Sequence, residues 1–101
     1  MVFKYEQDGE NIHVKIAGVI ENEAVDELVE PMQEILEKEF KEVIFDLSSV
    51  PFMTSSAIGK FLIFYKNLTN SGRKMRVKGI DEELMELFHD IKLDTFFPIE
   101  R

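Results

Sequence analysis

The chain has 101 residues, 45% of them apolar with nine phenylalanines, and it contains no cysteine. That is enough for a single domain with its own core, and it excludes disulfides, thiolate metal sites and cysteine nucleophiles. A net charge of −8 argues against direct contact with nucleic acid, no apolar run is long enough to span a membrane, and no secretion signal opens the chain, so a cytoplasmic location is expected.

Phe3 to Gln7 reads as a first strand, and Asp8-Gly9-Glu10-Asn11 as a turn. From Ile12 onward, Ile12, Val14 and Ile16 alternate with His13 and Lys15, the period of a half-buried strand. The two strands form a hairpin whose loop is expected to be slightly longer than the tightest type. Glu21 to Glu39 has helical spacing, with Asn22 as its cap and Val25, Leu28, Val29, Met32, Ile35 and Leu36 on one face. Pro31 should kink or break this helix, because it lacks an N–H and crowds the preceding turn.

Lys41 to Leu47 is the third strand, and its consecutive Val43, Ile44 and Phe45 suit a strand covered by helices. After a loop, Ile58, Phe61, Leu62, Tyr65 and Leu68 mark a second helix that ends near Gly72. Ile63 and Phe64 widen its apolar face, which fits either a weak homodimer or core packing. Met75 and Val77 lie in a fourth strand, Asp81 caps a third helix, and the apolar tail Leu93 to Ile99 is expected to be tied against the body. The order β-β-α-β-α-β-α gives an α/β fold, a small mixed β-sheet flanked by helices, with parallel strands at the later crossovers.

Little in this string resembles catalytic chemistry. His13 and His89 are the only histidines, and neither has the spacing of a metal site. The glycines are isolated, so neither a phosphate cradle nor a nucleophile elbow is present. Asp46, at the end of an apolar strand, has two readings. It can anchor the following loop by accepting hydrogen bonds from N–H groups, Ser48 or Ser49, or it can be a phosphoryl acceptor if other acids gather around it.

The remaining feature is the run VIFDLSSVPFMTSSAIG from Val43 to Gly59. It places Thr54, Ser55 and Ser56 at a helix start, where Thr54 can be the cap. Phe52 and Met53 are bulky apolar loop residues that can face the core or form a lip for a partner. Charge placement bears on the serines. Residues 1–50 hold thirteen acids and four bases, whereas Pro51 to Lys78 holds six bases and no acid. A phosphate on this triplet would meet little repulsion from its sequence neighbours, and a helix N-terminus welcomes an anion. Simple capping and a phosphorylation switch both fit the residues.

The segment DLSSVPFMTSSAIG, from Asp46 to Gly59, resembles the signature of STAS domains, specifically bacterial anti-sigma factor antagonists of the SpoIIAA type. The resemblance extends over nearly the whole chain, including the Ala17-Gly18-Val19-Ile20-Glu21 turn and the Leu93 to Pro98 ending. It implies a small mixed sheet flanked by helices, with no metal, no cofactor and no catalysis by the chain itself. The family's phosphorylated serine falls on Ser55, and Ser49, Phe52, Met53, Thr54, Ser56 and Ala57 form the surrounding partner-binding or switch region. The implied partners are an anti-sigma factor with serine kinase activity and a serine phosphatase. Thr54 stands where the family usually has aspartate, and Ala57 where it usually has glycine. Two other functions remain open: an unregulated STAS-like scaffold subunit of a signalling complex, and a small enzyme or phosphoacceptor centred on Asp46.

Overall fold

The two alternating N-terminal segments form a hairpin of β1 (Val2–Asp8) and β2 (Asn11–Ala17) in the computed structural model, which describes residues 1–101. Asp8 pairs directly with Asn11, so the loop is only Gly9-Glu10, tighter than the sequence suggests. Gly9 makes this turn possible: its φ of 60° opens a two-residue turn of the II′ kind, a conformation costly to any residue with a Cβ.

The expected single helix after the hairpin is two: α1 (Glu23–Glu27) and α2 (Val29–Leu36). The break falls at Leu28, not at Pro31. Pro31 therefore sits in the first turn of α2, where its missing N–H would have no helical acceptor in any case. Asn22 precedes α1 at φ 51° but its side chain makes no capping bond, contrary to expectation. No basic residue lies in the last turn of α2. Arg73 supplies that charge from elsewhere, bonding the Leu36 and Lys38 carbonyls and lying 4.3 Å over the Phe40 ring.

The central strand β3 (Glu42–Ser49) leads to the long α3 (Ser55–Asn70), then β4 (Lys74–Lys78) and α4 (Glu82–Asp90). The sheet order is β1-β2-β3-β4, with β1 antiparallel to β2 and the other pairs parallel. Successive crossovers step in one direction, so the right-handed rule places their helices on one face of the sheet. The burial pattern agrees. Ile12, Val14, Ile16, Val43, Phe45, Leu47, Met75 and Val77 join residues of all four helices in one core cluster.

Phe45 is at the centre of that cluster, edge-on to Phe61 at 5.1 Å and to Phe64 at 5.7 Å. The opposite face of the sheet is uncovered by helices and carries Lys4, Glu6, His13, Lys15, Asp46 and Lys78 around the buried Ile44. The consecutive apolar run of β3 thus fills one core face and one spot on the open face. Of the pair on α3, Phe64 is core and Ile63 is 59% exposed.

The tail is held as expected. Val77 donates to the Pro98 carbonyl at 2.9 Å, Glu100 donates back to Val77 at 2.8 Å, and Phe97 is buried. This short parallel pairing covers the outer edge of β4. His89 meets an acid after all, with Nδ1 3.0 Å from Asp94, although both are exposed. Replacing Phe45 by alanine should cost about 3–5 kcal/mol in denaturant unfolding, whereas Ile63→Ala should stay within about 0.5 kcal/mol.

Candidate functional site at the β3–α3 junction

Asp46 lies on the open face of β3, three residues before the strand ends at Ser49. Its Oδ1 accepts from the Ser48 N–H at 2.9 Å, and its Oδ2 lies 3.4 Å from Lys15 Nζ, which also donates to Ser48 Oγ at 3.2 Å. Burial opposes ionisation of Asp46, but the Ser48 N–H, the Ser48 hydroxyl and the Lys15 ammonium outweigh it and hold its pKa below the ordinary value. The neighbouring strand positions supply Lys15 and Lys78, bases rather than acids. No group of three or more His, Asp or Glu side chains is placed so as to hold a metal ion. The immediate partners of Asp46 are thus Ser48 and lysines, not the acids that an Asp46-centred phosphoacceptor requires.

Gly79 completes this corner. At φ 71° it lies so close that a Cβ there would come within 2.8 Å of Asp46 Oδ1 and 3.1 Å of Ser48 Cβ. Neither Lys15 nor Gly79 was singled out by the sequence. The outward position of Lys15 in β2 was legible, but its parallel register against Asp46 was not.

Beyond Asp46 the loop is fastened by its main chain. Gly18 donates to the Ser49 carbonyl, Ile20 donates to Phe52, and Thr54 donates back to Ile20, at 2.9 to 3.1 Å. Met53 is thereby bridged to Ile20 and is 1% exposed, while its neighbour Phe52 is 48% exposed. Alternation of side chains along an extended segment separates the two bulky residues, Met53 to the core and Phe52 to the surface. Phe52 and Pro51 border a shallow groove whose other wall is Glu83, Leu84 and Leu87 at α4.

Thr54 is the cap of α3. Its backbone is extended, its Oγ1 accepts from the Ala57 N–H at 3.3 Å, and its carbonyl receives Ile58 at 3.0 Å. Ala57 is fully buried, so it and Met53 shape the site from beneath and present no surface. Ser55 and Ser56 occupy the first turn with exposed side chains, and Ser49, the last residue of β3, is exposed as well. The N–H groups of Ser55 and Ser56 have no acceptor within the chain. Both arginines of the acid-free stretch are engaged elsewhere. Arg73 serves α2, and Arg76 faces Glu42 at 3.4 Å in an ion pair whose geometry falls short of a hydrogen bond.

A family model described as the STAS domain matches residues 3–101. The chain belongs to the STAS family. This STAS domain is similar in fold to an anti-sigma factor antagonist from Mycobacterium paratuberculosis, with a TM-score of 0.87 and 19% identity over 98% of this chain and 84% of that one. It is similar to the Bacillus cell fate determinant SpoIIAA in its phosphorylated form, with a TM-score of 0.76 and 16% identity over 97% and 90%. The STAS domain of a SulP transporter from Vibrio cholerae also matches, with a TM-score of 0.68 and 15% identity over 88% and 70%. At these identities the likeness is one of fold. No helix of this domain is long and apolar enough to cross a membrane.

The depressed pKa of Asp46 has a stability consequence with a defined sign. Because the folded value lies below the unfolded one, the contribution is present above about pH 4 and is lost as pH falls through the folded value. Asp46→Asn should flatten that acid limb of a stability–pH profile measured by denaturant unfolding. Gly79→Ala should destabilise the same corner by roughly 1–2 kcal/mol at neutral pH, since it combines positive φ with a close contact.

Proposed function

We propose that this STAS domain is an anti-sigma factor antagonist switched at Ser55. In its unmodified form it binds an anti-sigma factor with serine kinase activity and so raises the availability of the sigma factor. The kinase transfers the γ-phosphoryl group of ATP to Ser55 Oγ, the hydroxyl proton is lost, ADP departs and the complex separates. A serine phosphatase restores the hydroxyl. The role requires no catalysis by this chain, and its expected setting is the cytoplasm.

The observation that carries the reading is the setting of Ser55. It is an exposed hydroxyl in the first turn of a sixteen-residue helix, between a cap residue and a buried alanine that fix the backbone. Two unbonded N–H groups and the positive end of the helix dipole favour phosphate there without unfolding the helix. An interface formed over the same turn does not tolerate the charge, because a dianion would have to be desolvated against a surface that includes Phe52. The replacement of the family's aspartate by Thr54 leaves the capping function in place, since the hydroxyl makes the same kind of bond. Exposure of Ser55 meets the requirement of a regulated domain that its hydroxyl be accessible to a kinase.

Incubation with the cognate kinase and ATP should add one phosphate, mapped to Ser55 by mass spectrometry. Ser55→Ala should bind the anti-sigma factor and resist release, whereas Ser55→Asp should weaken binding about tenfold or more with unchanged unfolding. Modification confined to Thr54 or Ser56, or full binding by the phosphorylated protein, would defeat the proposal.

A further inference from the structure

The two edges of the sheet are treated differently. The outer edge of β4 is covered by the C-terminal segment, with Val77 bridged to Ile99. The outer edge of β1 is open along seven residues, and its pairing with β2 runs without a bulge from Val2 to Asp8. A long unbulged edge is a template for another strand unless something on it repels one.

The hairpin turn determines which groups face outward. The pair that closes a two-residue loop exchanges both of its main-chain bonds, here Asp8 with Asn11. Alternation then turns Glu6, Lys4 and Val2 toward β2, and aims the N–H and C=O groups of Phe3, Tyr5 and Gln7 outward. None of these three residues makes a main-chain hydrogen bond outside the hairpin.

The side chains select the strand that fits. Lys4 and Glu6 are exposed on the open face of the sheet, and neither has an ion-pair partner within the chain. The base opposite Lys4, Lys15, is already engaged with Asp46. An antiparallel second β1 can be centred on several residues. Centring on Lys4 sets lysine against lysine, and centring on Glu6 sets glutamate against glutamate, both repulsive. Centring on Tyr5 overlaps the full strands and places Lys4 opposite Glu6 of the second copy, and Glu6 opposite its Lys4. These are the pairs without mutual main-chain bonds, whose side chains approach most closely.

We propose that β1 is a homodimer edge, on which a second copy's β1 adds antiparallel in the register that sets Tyr5 opposite Tyr5. The two sheets become one, joined by about six main-chain hydrogen bonds from Phe3, Tyr5 and Gln7 of each copy. Two Lys4–Glu6 pairs lie on the open face, with Tyr5 and Phe3 on the helical face. Charges on an edge strand ordinarily prevent pairing, but their order here is self-complementary, so they admit this chain in one register. The two-fold axis sends the two Ser55 sites to opposite ends of the joined sheet and leaves both free, so dimer formation does not depend on the switch.

Sedimentation from micromolar to millimolar concentration tests the proposal. The chain should pass from monomer to dimer, and Lys4→Glu should weaken that dimer about tenfold or more by turning both pairs repulsive. The double variant Lys4→Glu with Glu6→Lys should restore it, a rescue that general destabilisation cannot produce. Hydrogen exchange should slow at the Phe3, Tyr5 and Gln7 amides as concentration rises, with Lys4 and Glu6 unaffected. A chain that stays monomeric at millimolar concentration, or a dimer indifferent to Lys4→Glu, overturns the assignment. Ser55→Asp should leave the dimer unchanged, so the switch and the edge stand or fall separately.

Discussion

The candidate site depends on one small piece of parallel pairing, in which Ile20 donates to the carbonyl of Phe52 and its own carbonyl accepts from the Thr54 N–H. Those two bonds hold the residues before α3 extended. In an extended segment adjacent side chains must point to opposite sides. Met53 therefore enters the core, Phe52 faces solvent, and Thr54 arrives with the geometry of a cap. Without this clamp the loop would have no reason to present a large aromatic next to an exposed serine.

A second constraint lies one turn earlier. Asp46, Ser48, Lys15 and Gly79 come together from β3, β2 and the residue after β4 and form a corner near the end of β3. Its hydrogen bonds and the Lys15 ammonium hold the aspartate's pKa below the ordinary value, and the same contacts tie it to Ser48. The corner and the clamp grip the loop at both ends. The proposed modification at Ser55 would therefore fall on a segment held at both ends, with the charge presented to a binding partner.

The one-sided arrangement of the helices has its own effect. All helices sit over one face, which leaves the other face polar and the β1 edge bare. The tail shields the opposite edge, so the molecule has one unpaired edge and one loop-and-helix surface. These surfaces are separate, and a domain built this way can meet two kinds of partner.

Much of this was legible in the residues. Alternation in Ile12, Val14 and Ile16 and three- to four-residue spacing in α3 and α4 identify the elements, because a local period records which side faces the core. Asp81 was recognisable as a cap, as was Thr54, since capping is a contact between near neighbours in sequence. The break at Leu28, the tight hairpin and the Lys15–Asp46 pairing were not, because each depends on register or on competition between adjacent turns. The sequence by itself determined the kinds of element, their order and the chemical identity of the hydroxyls at the start of α3. Only the tertiary structure decided that Met53 and Ala57 are buried while Phe52 and Ser55 are exposed. Burial in a two-layer fold is settled by which distant strand lies alongside, and no local period carries that information.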